Sequence, residues 1–164
     1  MSYDIEDLLD DVIAEVKENL PAKLIAIETE KQGKGKGVPG GLAPIPDGAY
    51  YLQAWDNAIL NHKVAIYYGL ENVTTTSAHS GAVAQNLTIF LEVVLTDLNN
   101  DGAAHKRIHR YSRALRELME DYCSKNSYIS RTKIEQVRPI SFRLELDTSD
   151  ETHVGGVSIS TSII

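Results

Sequence analysis

Cysteine is nearly absent from this chain. The single Cys123 excludes an internal disulfide, which fits a reducing compartment, and its apolar neighbours point to a buried, inert thiol. No apolar run approaches the length of a membrane span. The acidic opening Met1–Asp11 is the opposite of a signal-peptide start, so no membrane partner is expected. Catalytic signatures are missing as well. There is no Gly-Lys-Ser/Thr phosphate loop and no G-x-S-x-G nucleophile turn. Gly35-Lys36-Gly37-Val38-Pro39-Gly40 fits G-x-G-x-x-G, but no strand precedes it. Pro39 and Pro44 oppose an immediate helix, leaving no helix N-terminus for a pyrophosphate.

Two partial metal patterns fail on their own chemistry. Asp97-x-Asn99-x-Asp101-Gly102 matches the first half of a calcium loop. Its twelfth position is Ile108 instead of a bidentate Glu, and Lys106 and Arg107 would crowd the ion. A turn ending in an Asp101 helix cap explains the same residues. His105 and His109 have a zinc-compatible spacing, but Lys106 stands where a metalloprotease carries Glu, and no Cys or second His pair completes four ligands. His79-Ser80-Gly81 has no supporting partners. No catalytic residue, metal ligand or cofactor is expected, and the chain reads as a non-enzyme.

What is present is a regular core. A chain of 164 residues fits one domain and can bury roughly 70% of its unfolded surface. Its centre runs from Gln85 to Leu146. Leu87, Ile89, Leu91, Val93 and Leu95 alternate with Thr88, Phe90, Glu92, Val94 and Thr96, the period of a strand with one aliphatic face. Ala104, Ile108, Tyr111, Leu115, Leu118 and Tyr122 form one helical stripe within 103–122. Lys133–Asp147 reads as a second long strand with Ile140, Phe142, Leu144 and Leu146 on one face. Its phase breaks at Pro139, which predicts a bulge or an edge. Ser124–Ser130 reads as the turn before it.

Upstream, Ile5, Leu8, Leu9, Val12, Ile13 and Val16 predict a helix over 4–19, capped by Ser2 or Asp4 and ended or kinked at Pro21. A short second helix can follow over Ala22–Glu30. Strands are expected over Ala49–Trp55 and His62–Leu70, with a connection or loose hairpin over Glu71–Ala84. Val157, Ile159, Thr161 and Ile163 predict a final strand with a serine-rich outer face, suited to a sheet edge. The fold class is α+β: a mainly antiparallel sheet packed by two amphipathic helices.

Gln32–Gly48 interrupts the pattern with six glycines, Pro39, Pro44, Pro46, Lys34 and Lys36. Such a loop is flexible, and either a disordered insertion or an arm that docks on a neighbour through Lys34, Lys36, Val38 and Leu42. Charge is segregated too. Residues 1–30 hold nine acids and two bases and so carry the whole net charge of −7. Lys106, Arg107, Arg110, Arg113 and Arg116 crowd one helix. With the polar faces of both helices pointing outward, Asp7 and Asp11 on one subunit and Arg107, Arg110, Arg113 and Arg116 on another would form a contact between copies.

The layout resembles the tail-terminator (tail-completion) and neck proteins of long-tailed phages. The resemblance is carried by the acidic amphipathic helix running into Leu20-Pro21-Ala22-Lys23-Leu24, the long strand Asn86–Thr96, and the charged helix Ala103–Tyr122. The C-terminal strands ending in Val154-Gly155-Gly156-Val157-Ser158-Ile159-Ser160 complete it. It spans most of the chain without a diagnostic motif, and the glycine loop departs from it. It implies an α+β fold, a homo-oligomeric ring (typically a hexamer) that caps the tail tube and joins it to the neck, and a virion location after assembly in the host cytoplasm. Tail-tube and neck proteins would be its partners, and transient passage of DNA through the lumen is compatible with that role. It implies no catalytic residues. Another neck or tail-tube component, or from a different class a small enzyme or a calcium-dependent binding module, are the alternatives.

Overall fold

A computed structural model describes residues 3–52, 63–77, 83–97, 103–142 and 151–163. In chain order these form α1 (Ile5–Gly33), β1 (Tyr50–Leu52), β2 (Val64–Ser77), β3 (Val83–Asp97), α2 (Ala104–Lys125), β4 (Ile129–Phe142) and β5 (Glu151–Ile163). The strands make one sheet in the order β1-β2-β3-β5-β4. Only the β1–β2 pair is parallel; β2–β3, β3–β5 and β4–β5 are antiparallel. The fold is α+β, as the two-residue and helical periodicities predict.

The alternating face of β3 lies at the centre of the core. Ile89 sits between Leu70 and Ile159, Leu91 between Tyr68 and Val157, and Val93 between Ile66 and Gly155. Leu87, Ile89, Leu91, Val93 and Leu95 are all buried. α2 presses on this face at Gly155, where an added Cβ would meet Ser112 Oγ at 2.9 Å and Ile108 Cγ1 at 3.0 Å. Its next neighbour is tighter still. Gly156 has φ +144°, and a Cβ there would stand 2.0 Å from the Leu91 carbonyl oxygen.

α1 is one helix of 29 residues, a correction to the expected break at Pro21. Val16, Leu20, Leu24 and Ile27 continue one buried stripe across the proline, whose own position is exposed. Packing on both sides holds the helix through the hydrogen bond that proline cannot make. Asp4 caps the N-terminus in a reciprocal capping box with Asp7. The C-terminus closes as a Schellman motif: Gly35 N–H donates to Gln32 O and Lys36 N–H to Lys31 O, with Gly35 at φ +67°. α1 runs antiparallel to α2. Tyr3, just before α1, stacks on Tyr128 and accepts a hydrogen bond from Asn126 at the end of α2, while Glu28 and Glu30 reach the first half of α2.

Three further expectations are corrected. β5 lies inside the sheet, not at its edge; its serines bond across to neighbours, as in Thr88 Oγ1 with Ser160 Oγ at 3.2 Å and Ser162 Oγ to Asn86 Oδ1 at 2.5 Å. β4 starts at Ile129, four residues before the expected Lys133, because the turn is shorter than Ser124–Ser130. Ile140 is 53% exposed, since β4 borders the sheet among the described residues. The bulge expected near Pro139 is present between Val137 and Ile140, and another lies between Ser130 and Lys133, where Arg131 has φ +54°. The loose hairpin is the outer part of β2 and β3, paired as far as Ser77 and Val83. The Asp97–Gly102 calcium-like turn beyond Asp97, the Asp101 cap, His79-Ser80-Gly81 and residues 143–146 lie outside the described residues. Among the described residues no helix is long and apolar enough to cross a membrane.

Two glycine and proline positions give opposite expected outcomes in thermal unfolding. Pro21→Ala should stabilise the chain by about 1–3 kcal/mol, by restoring a helical hydrogen bond at an exposed site. Gly156→Ala should destabilise it by about 3 kcal/mol, since neither the backbone angle nor the Leu91 carbonyl leaves room for a methyl group.

Candidate functional site

The densest polar chemistry lies where the segment after α1 crosses the first half of α2. Arg107, Arg110 and Tyr111 fall at i, i+3 and i+4 and so share one face of α2. Each donates to a carbonyl of this segment. Arg107 Nη2 bonds Pro39 O and its Nε bonds Gly41 O at 3.4 Å. Arg110 Nη2 bonds Lys36 O at 2.5 Å. Tyr111 Oη bonds Ala43 O at 2.5 Å, and burial pushes that phenol up beyond its ordinary range. Beneath these bonds Val38 and Ile45 are buried and Leu42 packs against the core.

Under the strap sits a buried ion pair. Arg110 Nη1 donates to Glu28 Oε2 at 2.8 Å, and the two side chains are 8% and 9% exposed. The second oxygen, Glu28 Oε1, accepts the Val38 backbone N–H at 3.2 Å. Outward of it lies a chain of more exposed pairs joining both helices. Lys34 and Arg113 each reach Glu30 at 2.8 Å, Arg113 reaches Glu117 at 2.7 Å, and Lys23 reaches Glu117 at 3.8 Å. The hydrogen bonds from Arg113 and then Lys34 hold the Glu30 carboxyl down at about 2, below its ordinary 4.5. The same bonds, to Glu30 and Glu117, raise the Arg113 guanidinium further.

The expected outward basic face of α2 is therefore corrected. Arg110 is buried, Arg113 faces α1, and Arg107 holds the loop. Arg116 stays partly exposed beside Glu120 at 3.5 Å. Acidic α1 and basic α2 do meet, but within one chain. Asp7 and Asp11 are remote from these bases and exposed; Asp11 accepts from Tyr3 Oη at 2.9 Å. Of the four loop residues singled out, Val38 and Leu42 pack on their own subunit, whereas the Lys34 and Lys36 side chains stay exposed. Glu28 was missed as a site residue. Its signal was available: it follows Leu24 by four on the buried stripe, where an acid is out of place.

Next to the strap, Lys31, Gly35, Lys36, Gly37, His105, Lys106 and His109 open a cleft of about 520 Å³ with Arg110 and Arg113 at its wall. His105 and His109 are exposed, with Nε2 atoms 3.2 Å apart. The described residues hold no group of three or more His, Cys, Asp or Glu arranged for a metal. Lys106 and Arg107 stand in the first turn of α2; the N-cap is Ala103, and that first turn holds no acid. Cations there oppose the helix dipole at about 0.3–1 kcal/mol each. At the far end of α2, burial pushes the Cys123 thiol up to about 11, consistent with an inert cysteine.

No protein-family model matches this chain, and comparison with curated proteins returns no match.

Removing one partner of the buried pair should be severe. Arg110→Met strands the Glu28 carboxylate and should cost about 3–5 kcal/mol in chemical denaturation, whereas Arg110→Met with Glu28→Met should recover most of the loss. The single variant should also free the strap, read as faster tryptic cleavage after Lys34 and Lys36. For Glu30 the folded pKa is depressed, so its contribution is present above the ordinary carboxylate value and is lost as pH falls from 4.5 towards about 2. Glu30→Gln should flatten the fall in thermal midpoint across that window.

Proposed function

We propose that this chain is a structural subunit of a long-tailed phage particle, of the tail-terminator kind, that closes into a ring at the end of the tail tube and meets the neck. The observation that carries this reading is how charge is divided. The α2 bases nearest α1 are engaged within the subunit, while Glu6, Asp7, Asp10, Asp11 and Glu18 remain exposed on the first half of α1. A ring needs two different patches on each subunit. The acidic α1 face is one. The border strand β4 offers the other: Arg131 and Arg138 are exposed there, and Lys133 between them pairs with Glu135 at 2.8 Å. Its two register breaks and Pro139 oppose strand addition, so the contact rests on side-chain charge. The α+β fold agrees with the fold that the resemblance implies.

Each exposed pair contributes about 0–1 kcal/mol, so only several together close a ring. Asp7 serves the helix cap and Asp11 serves Tyr3, so Asp10 and Glu18 are the clean positions to change. Asp10→Lys with Glu18→Lys should leave the circular dichroism spectrum intact and reduce the oligomeric mass seen by light scattering. Adding Arg131→Glu and Arg138→Glu should restore part of it. A chain that stays monomeric over a full concentration and salt series would overturn the ring.

A further inference from the structure

From the cleft beside the strap we infer that this protein has a binding site for a phosphate-bearing anion, formed by Lys31, Lys36, His105, Lys106 and His109. The inference stands apart from the ring and needs no second subunit. Three segments build the site: the last turn of α1, the Schellman turn after it, and the first turns of α2. The strap fixes their spacing, because Arg110 holds the Lys36 carbonyl and Glu28 holds the Val38 amide.

Charge is what the cleft has in excess. Arg110, Arg113, Arg116 and Lys125 of α2 each stand against a carboxylate. Among the described residues, Lys31, Lys36 and Lys106 have no carboxylate within ion-pair distance, and the lining contains no acid. The nearest acids are engaged: Glu28 with Arg110, Glu30 with Lys34 and Arg113, and Glu117 with Arg113 and Lys23. The positive end of the α2 dipole adds to the same field. The His105 and His109 Nε2 atoms, 3.2 Å apart on the same side of the cleft, add two ring nitrogens that can turn an N–H towards an anion. A bound phosphate-type oxyanion offsets all of these at once, and such groups are the usual ligands of helix N-termini lined by lysine. The cleft, at about 520 Å³, exceeds a single orthophosphate. It has room for a polyphosphate or a stretch of phosphodiester chain, whose several charges match the several unpaired cations.

Calorimetric and NMR titrations at low salt with inorganic pyrophosphate, with a short single-stranded oligonucleotide, and with a synthetic peptide of residues 4–19 test this. Saturable binding of either phosphate compound is expected, with the His105 and His109 imidazole signals moving and that of His153, bonded to Ser141 on the sheet, staying still. Pyrophosphate binding alone identifies a free polyphosphate, and oligonucleotide binding a phosphodiester. Lys36→Ala with Lys106→Ala should weaken binding by about tenfold or more, with an unchanged circular dichroism spectrum. Lys125→Ala, at the other end of α2, should leave it unaltered. Absence of phosphate binding, binding of the peptide alone, or equal binding by the Lys36/Lys106 variant would each overturn the site.

Discussion

Burying Glu28 with Arg110 removes two charges from water, at several kcal/mol per ion before any attraction between them is counted. The arrangement is tolerable because the groups around the pair are satisfied. One Glu28 oxygen takes the guanidinium, the other takes the Val38 amide, and a second arm of Arg110 takes the Lys36 carbonyl. The planar fork of arginine makes two directions available from one charge, which a lysine could not do. A slide of α1 by one turn would place Leu24 or Gln32 opposite Arg110 and leave a buried cation without an anion. Net stability from the pair is small, but the penalty for every other register is large. It therefore sets the alignment of α1 on α2 and the path of the chain between α1 and β1.

The strap follows from that alignment. A glycine-rich segment loses more backbone entropy on ordering than any other composition. Three α2 side chains, at one-turn spacing, oppose that loss by binding carbonyls at Lys36, Pro39, Gly41 and Ala43. Buried Val38 and Ile45 add apolar contact. The outer ion pairs through Glu30, Arg113 and Glu117 contribute less, because water and salt screen them. Their larger effect is on titration, since Glu30 stays ionised far into acid.

The sheet and α2 were legible because their periods are strong. The odd-numbered aliphatics of β3 and the stripe from Ala104 to Leu118 place those elements almost residue by residue. Two kinds of information were not local. Pro21 reads as a stop on propensity, yet the tertiary anchor of Leu20 and Leu24 overrides it. Likewise β5 reads as an edge from its serines, but hydroxyls that bond to Asn86 and Thr88 are compatible with an interior strand, and only the pairing of β4 reveals it. For the site, segregation of acids and bases was visible, while the direction of the basic face was not. Helical spacing groups Arg107, Arg110 and Tyr111 on one side of α2, but it cannot say that the loop after α1 returns to that side.

Charge in this chain is thus handled in two ways with different physics. Inside, acids late in α1 meet bases early in α2 in low dielectric, where geometry is strict and the interaction defines the fold. Outside, acids early in α1 and the lysines around the α2 N-terminus are left without counter-charges among the described residues. Among them Lys106 gains nothing from pairing and, by opposing the α2 dipole and repelling its basic neighbours, subtracts from stability. A fold that needed only to be stable would lose little by exchanging Lys106 for an acid at that position. Retaining cations there while satisfying every charge one turn away is the arrangement expected of surfaces whose partners lie outside the subunit.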